Sequence, residues 1–294
     1  HGPLGRLERA PGLQQGGRIA RGAQGVEHQA AQQAGRGLGA VGAVLGQQPH
    51  EFDRGRMVLL QPSPAQAQAQ QMVSYLAPAG VDGAGCSYTA PCATLAAAVA
   101  NTADNGQVVI LATGVYGLAT VTRPMTIRGE GGPVGIVGEV FISGQPTNKV
   151  LIEDLDFEGT TSGTGGYAFG LHVFNGAEVV VRNSRFRGFL SAGVRLAPVG
   201  TTRVTFDNCS FVSNPIGIWA ESAGAAKVKL FRSTFVGNSD AGVRLVGTGH
   251  DVLLSANRIL GSAKALDIWP GGAATSYGDN VLTSGDAPTL MSKN

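Results

Sequence analysis

The chain has 294 residues, a net charge of +2, and only 14% of its residues are Asp, Glu, Lys or Arg. That balance excludes a nucleic-acid protein built around a basic face, and so little charge does not suit a bundle of amphipathic helices, whose outer faces are charge-rich. The 45 glycines, with 43% hydrophobic residues and few aromatics, fit short strands joined by tight turns. No apolar run approaches the roughly 20 residues that cross a bilayer, so no transmembrane helix is predicted.

Composition changes near residue 72. Before it lie most of the glutamines, including Gln14-Gln15, Gln32-Gln33, Gln47-Gln48, Gln66, Gln68, Gln70 and Gln71, mixed with Gly, Ala and Arg. Neither the helical nor the strand period persists there, although Leu38 to Leu45 is briefly apolar. Such a stretch buries too little apolar surface to offset chain entropy, so residues 1–72 are expected to be a disordered tail. Met57 opens Met57-Val58-Leu59-Leu60, and Ala65-Gln66-Ala67 and Ala67-Gln68-Ala69 have the small-x-small form of a signal-peptidase site. The apolar part is too short for an intact signal peptide. Two readings stand: residues 1–56 are an upstream extension over a remnant export signal, or the whole stretch is a Gln-rich linker.

Residues 73–294 read as one domain, with an N-terminal cap at 75–101. Tyr75 to Gly80 is an expected first strand. Thr94 is a candidate N-cap for a helix over Leu95 to Ala100. Asn105-Gly106 is a turn signal ahead of a buried strand from Val108 to Leu111.

Internal repetition decides the fold. Val150-Leu151-Ile152-Glu153-Asp154-Leu155-Asp156-Phe157 recurs as Val179 to Phe186, Val204 to Phe211 and Val228 to Phe235, and in degenerate form as Val252 to Ile259. A second word keeps the same period: Gly170-Leu171-His172-Val173, Gly193-Val194-Arg195-Leu196, Gly217-Ile218-Trp219-Ala220, Gly242-Val243-Arg244-Leu245 and Ala265-Leu266-Asp267-Ile268. Alternation within each word sends Val179, Val181, Phe186, Val194 and Leu196 inward and Arg182, Arg185 and Arg195 outward. No single coil of about 24 residues encloses a core, but coils stacked about 4.8 Å apart bury one apolar column. The Leu-x-Leu and Asn ladder of a leucine-rich repeat is missing, and a propeller blade needs a longer period. The expected fold is all-β, a right-handed parallel β-helix with a short capping helix.

The opening Tyr75…Asp82…Ala90-Pro91-Cys92-Ala93-Thr94-Leu95…Ala98-Val99, the Asn105-Gly106…Gly114-Val115-Tyr116 after it and the closing Tyr277-Gly278-Asp279-Asn280 carry a resemblance. Over 73–294 the chain resembles the bacterial exported right-handed β-helix repeat proteins of the pectin-lyase-like superfamily. The resemblance implies the fold and leaves function open, because that scaffold hosts lyases, hydrolases, epimerases and non-catalytic binders.

The chemistry of a pectate lyase needs outward carboxylates gathered around Ca²⁺. Here Glu153, Arg182 and Asp207 share one column, Asp156 lies over Arg185 and Glu158 over Arg187, so acids are opposed by bases one coil away. Gly249-His250-Asp251 departs from the Gly-His-Gly of the hydrolases, and His250 reads as a turn residue. Gln48-Pro49-His50-Glu51 lacks the Asp of the epimerase motif, and Gly129-Glu130-Gly131-Gly132 reads as a turn. No Cys/His cluster has metal-ligand spacing, and no cofactor is expected.

One outward column stands apart. His172, Arg195, Trp219, Arg244 and Asp267 fall at one position of five successive coils, so an aromatic face lies between two guanidiniums, a pattern that suits an acidic sugar. The plainer reading is a solvated face. Asn183 and Asn208 are expected to form an internal amide ladder capped by Asp154. Cys86 and Cys92 are expected to form a disulfide, which suits an oxidising compartment, and Cys209 is expected to be buried and inert. The expected function is a secreted or periplasmic, non-catalytic domain at cell-envelope or extracellular polysaccharide. The alternatives are a lyase or hydrolase of acidic polysaccharide and a structural or adhesive surface protein.

Overall fold

The computed structural model describes residues 70–83, 85–159, 165–175 and 178–291. Gln48-Pro49-His50-Glu51, the small-x-small sites and all but the last three residues of the expected tail lie outside them. Those three belong to the folded part: the first strand is Gln71–Leu76, starting four residues before the expected Tyr75 and ending before Ala77, and Gln71 pairs with Thr102 across a register shift.

The chain winds as a right-handed parallel β-helix. One sheet stacks ten strands, running from Gln71–Leu76 through Thr102–Ile110, Met125–Gly129, Lys149–Glu153, Glu178–Arg182, Thr201–Asp207, Ala225–Phe231 and Asp251–Ser255 to the C-terminal end. A second sheet of thirteen strands folds around the other two sides, joined through the long strand Val134–Ile142, which pairs with both Leu155–Glu158 and Phe169–Val173. All of the named strand pairs are parallel and link one coil with the next.

Both repeated words map onto this frame. Phe157, Phe186, Phe211, Phe235 and Ile259 pair in register and are fully buried. Their rings stack, with centroids 4.6, 5.3 and 4.4 Å apart along the four phenylalanines. The glycine of the second word has a steric cause. A Cβ on Gly217 would lie 2.6 Å from the Phe235 ring, and one on Gly242 would lie 2.3 Å from Ile259. The large column therefore requires the missing side chain beside it.

Within the first word each of five successive coils turns a corner on a left-handed residue: Asp154, Asn183, Asn208, Arg232 and Ala256 have φ of 57, 47, 54, 50 and 55°. Asn183 Nδ2 donates to Asp154 Oδ1 at 3.2 Å, and Asn208 Nδ2 donates to Asn183 Oδ1 at 2.9 Å. The expected amide ladder thus exists, but it is external, since Asn183 and Asn208 are exposed. The internal ladder begins one residue later. Cys209 N–H donates to Ser233 Oγ, Ser233 N–H to Asn257 Oδ1 and Asn257 N–H to Asn280 Oδ1. Asn257 Nδ2 also donates to Leu230 O at 2.8 Å. A second buried pair, Asn214 and Asn238, donates to Phe186 O and Phe211 O. Most buried polar groups in folded proteins have such partners.

At the N-terminal end a helix, Leu95–Asn101, buries Leu95, Ala98 and Val99, and its N-cap Thr94 accepts from Ala97 N–H. Asp82 holds that start in place, accepting from Ala93 N–H, Thr94 N–H and the Thr94 hydroxyl at 2.9, 3.0 and 2.7 Å. Burial pushes Asp82 up, but these donors outweigh it and hold the carboxyl below its usual range. Cys86 and Cys92 are joined by a disulfide beside this cap. Asn105-Gly106 is not a turn ahead of a strand but a bulge within Thr102–Ile110, where the register to the first strand shifts.

Candidate functional site

The strands Phe169–Val173, Ala192–Leu196, Ile216–Glu221, Ala241–Val246 and Lys264–Ile268 stack in register. They bring His172, Arg195, Trp219, Arg244 and Asp267 into one column. Phe141 continues it one coil earlier. The alternation within the word puts them all on the outer side, yet they are not equally open. His172 and Asp267 are buried, at 3% and 4% exposure, and only the middle of the column is accessible.

Asp267 is not a free acceptor at the column's end. Its carboxylate accepts from Arg244 Nε at 2.6 Å and Lys264 Nζ at 2.5 Å. Burial would raise its pKa, but hydrogen bonds from Lys264 and then Arg244 hold it below the usual carboxylate range. Arg244 is also bound to Asp240 at 2.8 Å. That end is a closed ionic cluster, and its physical reason is plain: a carboxylate pressed against the sheet needs two cations to replace its water.

At the other end His172 sits among aromatic rings, with centroids of Phe174, Phe169 and Phe141 at 3.9, 5.2 and 5.4 Å. Its Nδ1 lies 3.9 Å from Glu139 Oε1. This contact is not an ion pair. Burial pushes Glu139 up to about 7, against a smaller lowering by Arg195, while burial and then Arg195 push His172 down to about 4. Between those values both groups are neutral, and on either side only one is charged.

Between the two ends, Arg195 spans neighbouring coils. Its guanidinium carbon lies 5.3 Å from the Phe169 ring centroid and 5.8 Å from that of Trp219. Its Nη2 is 2.7 Å from Glu221 Oε1. His172 Nε2, Arg195 Nε and Trp219 Nε1 are buried without a hydrogen-bond partner. Three such atoms on three successive coils depart from the usual satisfaction of buried polar groups.

Glu139, Glu221 and Phe169 were not singled out from the sequence. Val140 pairs with Leu171, so Glu139 occupies the place that Gly170 holds in the next coil. Extending the second word one coil back would have found a carboxyl at a glycine position. Glu221 lies two residues beyond Trp219, on the same outer side by the strand alternation.

The other candidates are structural. Arg185 binds Asp156 with Nε–Oδ1 at 2.8 Å, Arg187 binds Glu158 at 2.9 Å and Arg232 binds Asp207 at 2.6 Å. His250 is fully buried, and its Nδ1 accepts from Ala226 N–H at 3.1 Å. Cys209 is buried with its thiol pushed up to about 12 by burial, far from a reactive thiolate. Among the described residues no three His, Cys, Asp or Glu side chains gather to hold a metal ion, and no helix is long and apolar enough to cross a membrane.

No curated protein matches the chain. Among solved structures it is similar to pectin methylesterase PemA from Erwinia chrysanthemi, at 13% identity over 74% of this chain and 92% of that one, with a TM-score of 0.42. It is also similar to a pectin methylesterase in complex with hexasaccharide VII, at 13% identity over 74% and 92%, with a TM-score of 0.44. Pectate lyase Pel9A aligns at 14% identity over 76% and 79%, with a TM-score of 0.35. Residues 136–259, which contain Glu139 and the column from Phe141 to Arg244, match the family model described as right handed beta helix region.

Proposed function

We propose that this is an exported, non-catalytic β-helix domain that binds acidic polysaccharide at the cell envelope or outside the cell, along Arg195 and Trp219. His172 at one end and the Arg244–Asp267 cluster at the other frame that strip and do not themselves contact sugar. The carrying observation is the half-buried Trp219 ring with the Arg195 guanidinium carbon 5.8 Å from its centroid, on adjacent coils. The indole offers a flat apolar face and the guanidinium charge-assisted donors to a uronate carboxylate. The coil repeat of about 4.8 Å is near the length of one sugar unit, so a glycan chain would run along the column. The Cys86–Cys92 bridge supports an oxidising compartment. The test is calorimetric titration with oligogalacturonate and oligoalginate. Binding is expected, with at least a tenfold loss in Trp219→Ala/Arg195→Ala and an unchanged melting profile away from the strip. Unchanged affinity in that variant would show the column to be only a solvated face.

A second reading, a lyase or hydrolase of acidic polysaccharide, is favoured by one observation. Glu139 titrates at about 7, the range in which a carboxyl both gives and takes a proton at neutral pH. Ultraviolet-absorbing unsaturated ends or new reducing ends, lost in Glu139→Gln, are the expected signs. Their absence on acidic glycans that bind would remove this reading.

A further inference from the structure

The outer side of the ten-stranded sheet carries a different cluster. Arg203 and Thr205 lie on one strand and pair in register with Lys227 and Lys229 on the next. Alternation points all four to the same side. They form a patch of about 4.8 Å across the strands by about 7 Å along them. Together with the acids Glu178 and Asp251 they line a groove of about 510 Å³.

Elsewhere several cations on stacked strands form ion pairs with acids of a neighbouring coil. Lys149 meets Glu178 at 3.4 Å, Arg185 meets Asp156 and Arg232 meets Asp207. Here two cations stand side by side: Arg203 faces Lys227 in register, with Glu178 on the far side of Arg203 and Asp251 on the far side of Lys227, and a like-charged pair directly opposite is destabilising on its own. Lys227 has Asp251 as its partner. Arg203 and Lys229 are exposed and are not among the ion pairs, because Glu178, beside Arg203, is engaged by Lys149. Three cations and one hydroxyl thus converge on a groove whose acids are already used at its rim.

We propose that Arg203, Thr205, Lys227 and Lys229 bind a tetrahedral oxyanion, a sulfate or phosphate monoester group on a larger ligand. A group with three terminal oxygens over the patch, a phosphate monoester with up to two charges or a sulfate monoester with one, reaches all four side chains and offsets the Arg203–Lys227 repulsion. A single carboxylate offers only two oxygens in one plane. This site lies on a different sheet from the Arg195–Trp219 strip, so either can fail without the other.

The experiment measures the melting temperature of the full chain against methyl sulfate and, separately, methyl phosphate, with potassium acetate as a control at equal ionic strength. A saturable rise with at least one ester is expected, absent in Arg203→Gln/Lys229→Gln and retained in Arg258→Gln, which removes an exposed cation on another strand. The ester that acts identifies the source, and action by both supports the shared oxyanion chemistry. Without ester the double variant is expected to melt no lower than the wild type, since a like-charged pair has been relieved; should it fail to fold, Lys229→Gln alone carries the comparison. Equal shifts with acetate, no shift with either ester, or an undiminished shift in the variant would overturn the proposal.

Discussion

The phenylalanine column and the column through Arg195 are built by the same stacking, one on each side of the chain, and they obey opposite rules. Inside, repetition of one side chain gains with every coil: Phe157, Phe186, Phe211 and Phe235 stack as near-parallel rings, and each is shielded by its neighbours. Outside, repetition of one charge would cost with every coil. The outer column therefore alternates in kind, with an imidazole, a guanidinium, an indole, a guanidinium and a carboxylate. Where burial reaches the outer column, at His172 and Asp267, the charge is either removed or doubly paired. A parallel β-helix thus requires sameness of its interior and variety of its exterior.

Truncating the interior column should produce the largest loss. Phe211→Ala removes a ring between Phe186 and Phe235, and is expected to cost about 3–5 kcal/mol in denaturant unfolding. The loss should be the same at pH 5 and pH 8, because no titrating group touches the column's energetics. A change below about 1 kcal/mol would mean that the coils close over the gap.

Glu139→Gln should act almost as strongly, but only at one end of the pH range. Glu139 is raised from 4.5 to about 7 in the folded protein. Its contribution is fully present below about 4.5 and is lost as pH rises through about 7. The glutamine stays neutral throughout, so the variant is expected to exceed the wild type at pH 8 by an amount on the order of 3 kcal/mol, and to match it near pH 4.5. His172, lowered from 6.5 to about 4, runs the other way: its contribution is present above about 6.5 and is lost as pH falls through about 4. Between pH 4.5 and 6.5 the two slopes oppose each other, and the wild type should vary little with pH there. Thermal unfolding across pH 4 to 8 measures both; equal pH profiles for wild type and variant would show Glu139 to be solvated.

Much of this architecture was legible because the interior rule leaves a strong trace. A large apolar residue followed by the glycine word fixes coil, register and core together, and the Phe211 and Gly217 positions follow from it. The exterior was legible only in register. Period-2 alternation put His172 and Asp267 outside, but which outward residues are covered depends on Phe169, Phe174 and Lys264, residues from the same coil or beside it that no alternation marks. The amide ladder shows the same limit. Asn183 and Asn208 were visible as a repeat, whereas Ser184, Cys209, Ser233, Asn257 and Asn280 share a role without sharing a residue type.

That mixed ladder gives the second expected loss. Asn257→Ala leaves the N–H of the buried Ser233 without its side-chain acceptor and removes a donor from Leu230 O. A cost of about 1–3 kcal/mol is expected, against well under 1 kcal/mol for Asn208→Ala on the exposed ladder. Equal costs at the two positions would mean that water enters the Asn257 corner.

The smallest expected effect is a gain, and it separates the corner's geometry from its hydrogen bonds. Ala256 adopts φ of 55° at the corner where the preceding coils place Asp154, Asn183, Asn208 and Arg232. Left-handed backbone costs an ordinary side chain about 1–2 kcal/mol, less for asparagine, whose short amide bonds locally. The position is exposed, so a new side chain meets no core. Ala256→Asn is therefore expected to stabilise by about 0.5–1 kcal/mol. Ala256→Gly should gain less, because glycine relieves the strain but loses more entropy on folding, roughly 0.5–1 kcal/mol. A gain for asparagine and none for glycine would assign the corner's preference to the amide. A larger gain for glycine would assign it to the backbone alone, and Asn183 and Asn208 would then be there for their φ and not for the ladder they form.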